Sequence, residues 1–267
     1  MKKYRWAFAF WLISIIAVNC FGKEIDFNKL EKKRGLYYQK DSGVLFTGDA
    51  ISLNGFGVLI ERIQIKSGLL NGEWTKYDDD GTKIGEGIFK NGNGIFYLYH
   101  DYEKKILLEE TPYENNLLQG RSLNYFENGK IVLEENYDKD ELHGRQIFWS
   151  ENGSIVISKE WKHGMLNGKW LEFYETGEKE GEGIFNNGTG NMVRWYEDGA
   201  IKERTSFKNS MEDGMSISWY KNGKKSDETY FKKGMVHGEL IEWDENGKIT
   251  KDEVYKNGYF CYSKIKK

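Results

Sequence analysis

Only two of the 267 residues are cysteine and four are histidine. No C-x-x-C or H-x-x-x-H spacing occurs, so the sequence announces no disulfide framework and no transition-metal ligand set. There is no P-loop, no nucleophile elbow and no zinc-protease motif. Glycine pairs such as Gly55/Gly57, Gly85/Gly87 and Gly181/Gly183 lack the third glycine and the following helix that a dinucleotide loop needs. "DDDGT" at Asp78–Thr82 lacks the flanking acids of a calcium loop, with Lys76 and Gly87 where an EF-hand has carboxylates. Clustered cations are also scarce. Lys32-Lys33-Arg34 and the terminal "KIKK" read as solvated runs, which excludes nucleic acid as the main partner.

The long apolar run is confined to "AFAFWLISIIAV", too short for a comfortable membrane span, behind the basic start "MKKYRW". This pattern predicts an export signal over residues 1–22 and a periplasmic, cell-surface or secreted location. "AVNCFG" places Cys20 where acylation would anchor the chain, so membrane attachment is expected only through the signal or a lipid there. Losing the signal leaves 36 basic against 42 acidic residues, a formal −6. Cys261 then has no partner, and stability must come from packing.

What is abundant is glycine, 31 residues, together with 15% aromatics, a composition of many turns and short strands rather than of disorder. A frame of glycines runs Gly48, Gly72, Gly94, Gly120, Gly144, Gly168, Gly190, Gly214 and Gly238, spaced by 22 to 26 residues. Five residues past each glycine stands a large apolar residue, such as Tyr125, Trp149, Phe173, Trp195, Trp219 and Trp243. An aliphatic usually precedes it by two, as Leu123, Ile147, Leu171 and Ile217 do. The step of two predicts one inward strand face. Asn128-Gly129, Asn152-Gly153, Asn222-Gly223 and Asn246-Gly247 then predict tight type I′ turns. A second strand ends on an aromatic at position seventeen, as in Phe89, Trp161, Phe185 and Phe207. In the third unit "DYEKK" breaks the turn pattern and predicts a loop or bulge.

Each unit is thus a hairpin, and one hairpin alone is marginal in water. Stacking shares a core between neighbours, so the expected fold is all-β: about nine tandem hairpins in one continuous twisted antiparallel sheet over 48–261. Residues 23–47 read as an irregular capping segment and 262–267 as a basic tail.

The stretch "GMSISWYKNGKKSDETYFKKGMVHG", with its in-phase copies over roughly residues 36–260, resembles the bacterial variant of the MORN repeat found in YwqK-type antitoxins. The resemblance implies an elongated hairpin array, no catalytic residues and no cofactor, and it raises a toxin-neutralising role. An export signal departs from a simple cytoplasmic antitoxin.

His143 and His237 share one repeat position, while His100 and His163 stand alone, so no metal site is expected. Acids such as Glu134-Glu135 or Glu178 and Glu180 recur in phase, which reads as a solvated face rather than a glycosidase pair. The candidate recognition residues are Phe126, Tyr174, Tyr196 and Tyr220, one step beyond the inward stripe. An outward ladder of rings there would suit a protein or carbohydrate, or would stack to stabilise the sheet's second face. The chain reads as a non-catalytic scaffold for a macromolecular partner, a protein such as a toxin or an envelope component. The alternatives are an antitoxin and, third, an envelope hydrolase.

Overall fold

The structure, a computed structural model, describes residues 23–265. The expected signal over 1–22, Cys20 included, lies outside the described residues. One sheet holds 22 strands, and a separate hairpin pairs Leu30–Lys33 with Leu36–Gln39. From Gly48–Leu53 to Tyr259–Ser263 the sheet follows chain order with antiparallel neighbours, Leu117–Leu118 and Gly120–Tyr125 together pairing with Ile106–Glu114, and Glu141–Leu142 and Gly144–Trp149 with Ile131–Asp138. The exception is Lys23–Asp26, which lies parallel beside Gly48–Leu53 at the sheet's first edge. This is the expected array of tandem hairpins. Its last strand runs on to Ser263, two residues past the expected end of the array. The third unit does carry the expected irregularity: its turn at Tyr102–Lys105 shifts the register between Tyr99 and Asp101.

The Asn-Gly turn is not the expected type I′ turn. At Asn128-Gly129, Phe126 N–H donates to Lys130 O (2.8 Å) and Gly129 N–H to Phe126 O (2.9 Å). Only Gly129 has positive φ, at 79°. That is a three-residue loop, a type I turn closed by a left-handed glycine, with the register shifting beside it between Asn124 and Tyr125. The Asn128 side chain accepts from Lys130 N–H (3.0 Å), which explains the asparagine without a positive φ. Type I′ geometry appears at the second turn, where both central residues are left-handed: Lys139 (54°) with Asp140 (69°), and His163 (49°) with Gly164 (72°).

Residues as bulky as lysine and histidine hold that conformation because each turn is bonded to the unit before it. Gly164 N–H donates to Leu142 O (3.0 Å) and Gly188 N–H to Leu166 O (2.7 Å). The residue just before a framing glycine adds a second tie. The N–H groups of Asn91, Lys139, Asn187 and Lys233 donate to side-chain oxygens of Asn71, Gln119, Asn167 and Asp213, at 3.0–3.1 Å.

The buried seam lies on the face opposite to the expected stripe. Residues paired across an antiparallel ladder share a face. Gly168 pairs with Phe185 and Trp170 with Gly183, so positions two and seventeen point together, away from positions three and five. The most buried rings and aliphatics are on that side: Phe89, Phe96, Phe185, Met192 and Phe207. The glycine pairs make room for them. A Cβ on Gly85 would lie 2.7 Å from the Phe96 ring, and one on Gly87 2.7 Å from the Phe89 ring. Gly181 and Gly183 stand in the same relation to Met192 and Phe185, at 2.6 Å each. These glycines, 96 residues apart in two sets, mark two core clusters of one design. The first is closed by Leu30, Tyr37 and the fully buried Phe46 from the capping segment. Buried Asn116 ties that cap to the array, donating to Gly35 O and Gly68 O and accepting from Leu70 N–H.

Candidate binding face

The face opposite the cores carries the stripe read from the sequence, positions three and five, mostly half-buried. Beside it, in mid-strand, large apolar side chains stand in solvent at one repeat position: Ile88 is 79% exposed, Ile184 68% and Tyr230 39%. Burial elsewhere gives no reason for isoleucine there. Salt bridges recur between them at fixed spacing, Lys83–Glu86 (2.9 Å), Lys179–Glu182 (2.7 Å) and Lys225–Glu228.

Three concavities lie on this face. One of about 470 Å³ is lined by Glu73, Thr75, Glu86, Ile88, Ile95 and Tyr97 among others. A second of about 400 Å³ takes in Met215, Glu228, Tyr230, His237 and Ile241. A third of about 520 Å³ is lined by Lys179, Glu182, Trp195 and the candidate Tyr196 among others. Beside the first, the irregular turn of the third unit brings cations and phenols onto one carboxylate. Glu86 accepts from Lys83, from Tyr102 Oη (2.5 Å) and from Lys105 (3.0 Å), while Lys105 also sits 3.5 Å over the Tyr102 ring. These donors, Lys83 first, hold the Glu86 carboxyl down at about 2, against an ordinary 4.5.

The predicted ladder of Tyr174, Tyr196 and Tyr220 is half-buried, and its hydroxyls are engaged. Each donates to a backbone carbonyl of the next unit: Trp195 O (2.6 Å), Trp219 O (2.8 Å) and Trp243 O (2.6 Å) respectively. These side chains are struts between successive first turns. His100 does the same work upstream, its Nε2 lying 3.0 Å from Tyr125 O. Phe126, also half-buried, has no hydroxyl to offer. Sequence reasoning missed the exposed Ile88, Ile184 and Tyr230, although their common place sixteen residues after a framing glycine was there to find. It also missed that His143 and His163 meet, with ring centroids 4.8 Å apart.

Comparison with known proteins agrees with this architecture. Residues 70–91, 118–139, 166–187, 189–209 and 236–257 each match the MORN repeat variant. These five stretches are similar to the MORN repeat variant. Each match takes in a strand, the three-residue loop, the second strand and the start of the type I′ turn. MORN repeats are in general non-catalytic. No curated protein matches the chain. Among solved structures, the crystal structure of TcdB2-TccC3-Cdc42 aligns over 85% of this chain at 9% identity, with a TM-score of 0.17. This chain spans 14% of that one.

Proposed function

We propose that this chain is a non-catalytic repeat scaffold whose stripe-bearing face binds a protein partner outside the cytoplasmic membrane. The observation that carries the reading is the face itself, where Ile88, Ile184 and Tyr230 stand exposed at one repeat position in three of the nine units. Folding leaves these side chains in solvent, and Ile88 and Tyr230 line concavities on the same face, the setting of an interaction surface. The alternating Lys–Glu pairs around them supply a polar rim that favours one registration of the partner along the array. The basic start and short apolar run of residues 1–22 support export, and Cys20 supports a lipid anchor as the only membrane attachment. In this reading Tyr174, Tyr196 and Tyr220 keep the face in register rather than meeting the partner with their hydroxyls.

The test is capture from the envelope of the producing cell by the wild type and by Ile88→Lys/Ile184→Lys/Tyr230→Lys. These positions are solvent-exposed, so the variant folds, and circular dichroism checks that. A protein held by the wild type and lost by the variant supports the face. Equal capture by both, or capture by neither, overturns it. If the captured protein is toxic and co-expression of this chain relieves it, the antitoxin reading is the form this binding takes.

A further inference from the structure

The stacked turns bring together three metal-ligating side chains that the sequence keeps apart. Asp138 ends the strand Ile131–Asp138. His143 falls between Glu141–Leu142 and Gly144–Trp149, where the chain bulges against Asn136 O (2.8 Å from His143 N). His163 is the first central residue of the next type I′ turn, which the Gly164 N–H to Leu142 O bond seats over His143. One ligand atom from each of Asp138, His143 and His163 lies within 4.8 Å of the others. The Glu141 carboxylate is 3.8 Å from His163 Nδ1.

The repeat itself provides the contrast. His143 occupies the place from which Asn71, Gln119, Asn167 and Asp213 accept a turn N–H. His237 holds that place before the last framing glycine, and its Nδ1 meets Asn257, 3.1 Å from Oδ1 and 3.4 Å from the backbone N. The Nδ1 of His143 is buried and meets no hydrogen-bond partner among the described residues. Nearby Asp140 is occupied by Leu118 N–H (2.6 Å) and Lys32 (3.3 Å), which leaves Asp138 as the carboxylate facing the pair.

We infer that Asp138, His143 and His163 form a binding site for a divalent transition-metal cation of the zinc type. Two imidazoles and a carboxylate are the donor set that borderline cations such as Zn²⁺ and Co²⁺ prefer over hard Ca²⁺ or Mg²⁺. Asp138 and His143 are half-buried and His163 is exposed, so the site opens to solvent on the turn edge of the array.

Cobalt titration of the purified chain tests this, with visible d–d absorption as one readout and the Zn²⁺-dependent rise in Tm as another. One Co²⁺ per chain, displaced by Zn²⁺, is expected. The decisive variant is His143→Asn/His163→Asn, because asparagine stands at both positions elsewhere, as Asn71 with Asn91 and Asn167 with Asn187. It keeps the fold and weakens cobalt at least about 10–100-fold. His100→Asn/His237→Asn leaves binding intact. A wild type with neither a cobalt spectrum nor a zinc-dependent Tm shift overturns the site. So does a His143→Asn/His163→Asn chain that titrates like the wild type.

Discussion

In the first core Trp74 leans on Phe96 with ring centroids 4.6 Å apart, and Phe89 and Tyr113 complete the group. In the second, 96 residues on, Trp170 meets Phe185 and Phe207 at 5.8 and 5.6 Å. The tryptophan, the ring at position seventeen and the glycines beneath them recur, while Met192 stands where the first core has Phe96. What differs is what encloses them. Leu30, Tyr37 and Phe46 come from outside the array to close the first core, whereas cations cover the ring of the second: Lys159 lies 4.1 Å and Arg194 5.9 Å from Trp170. Burial pushes the Lys159 ammonium down, and Arg194 is held charged by Glu172 and Glu203. The polar details also diverge. Trp74 Nε1 donates to Glu61 (2.9 Å), but the equivalent residue before Trp170 is Ile157, and Trp170 Nε1 is buried without a partner among the described residues.

The comparison is broken most easily at the cap. Phe46→Ala empties a fully buried site and is expected to cost about 3–5 kcal/mol in chemical denaturation, with the loss of protection from hydrogen exchange centred on the first core. A loss spread equally over both cores would show that they are not separate units. The next contrast is Trp74→Phe against Trp170→Phe. The first strands the Glu61 acceptor and costs roughly 1–2 kcal/mol more than the second, which removes a donor that has no partner. Equal costs would remove the distinction.

The smallest effect is electrostatic and sits near the first core alone. The folded-state pKa of Glu86 lies below its unfolded value, so its contribution is complete above about 4.5 and is lost as pH falls toward about 2. Glu182, its counterpart, has the single partner Lys179. Acid titration of stability should therefore flatten in Glu86→Gln, and a profile like that of the wild type would refute the assignment.

The unit length, the hairpins and their succession were legible because a period of about 24 residues repeats nine times. The turn types were not. Asn-Gly suits a type I′ turn and equally a type I turn with a left-handed glycine, and loop length decides between them. The true type I′ pair His163-Gly164 hides a left-handed histidine that only a bond from the neighbouring unit sustains. The buried face was misread because alternation marks two faces without ranking them. Here the ranking came from Gly85, Gly87, Gly181 and Gly183, whose missing side chains let rings lie flat on the sheet. The tyrosine row was found, but its use as struts depends on carbonyls 21 to 23 residues away. Asp138, His143 and His163 escaped notice for a related reason, since stacking and not local spacing unites them.

Strand order has a mechanical consequence. Along the array each strand is zipped to its chain neighbours, and only Lys23–Asp26 runs parallel to its partner. Tension applied at the two ends would peel the array open from Tyr259–Ser263, one hairpin at a time, at low force. The opposite end would be loaded along its ladder, where several bonds must shear together. The molecule is thus a directional spring, soft at its C-terminal side and stiff at the other.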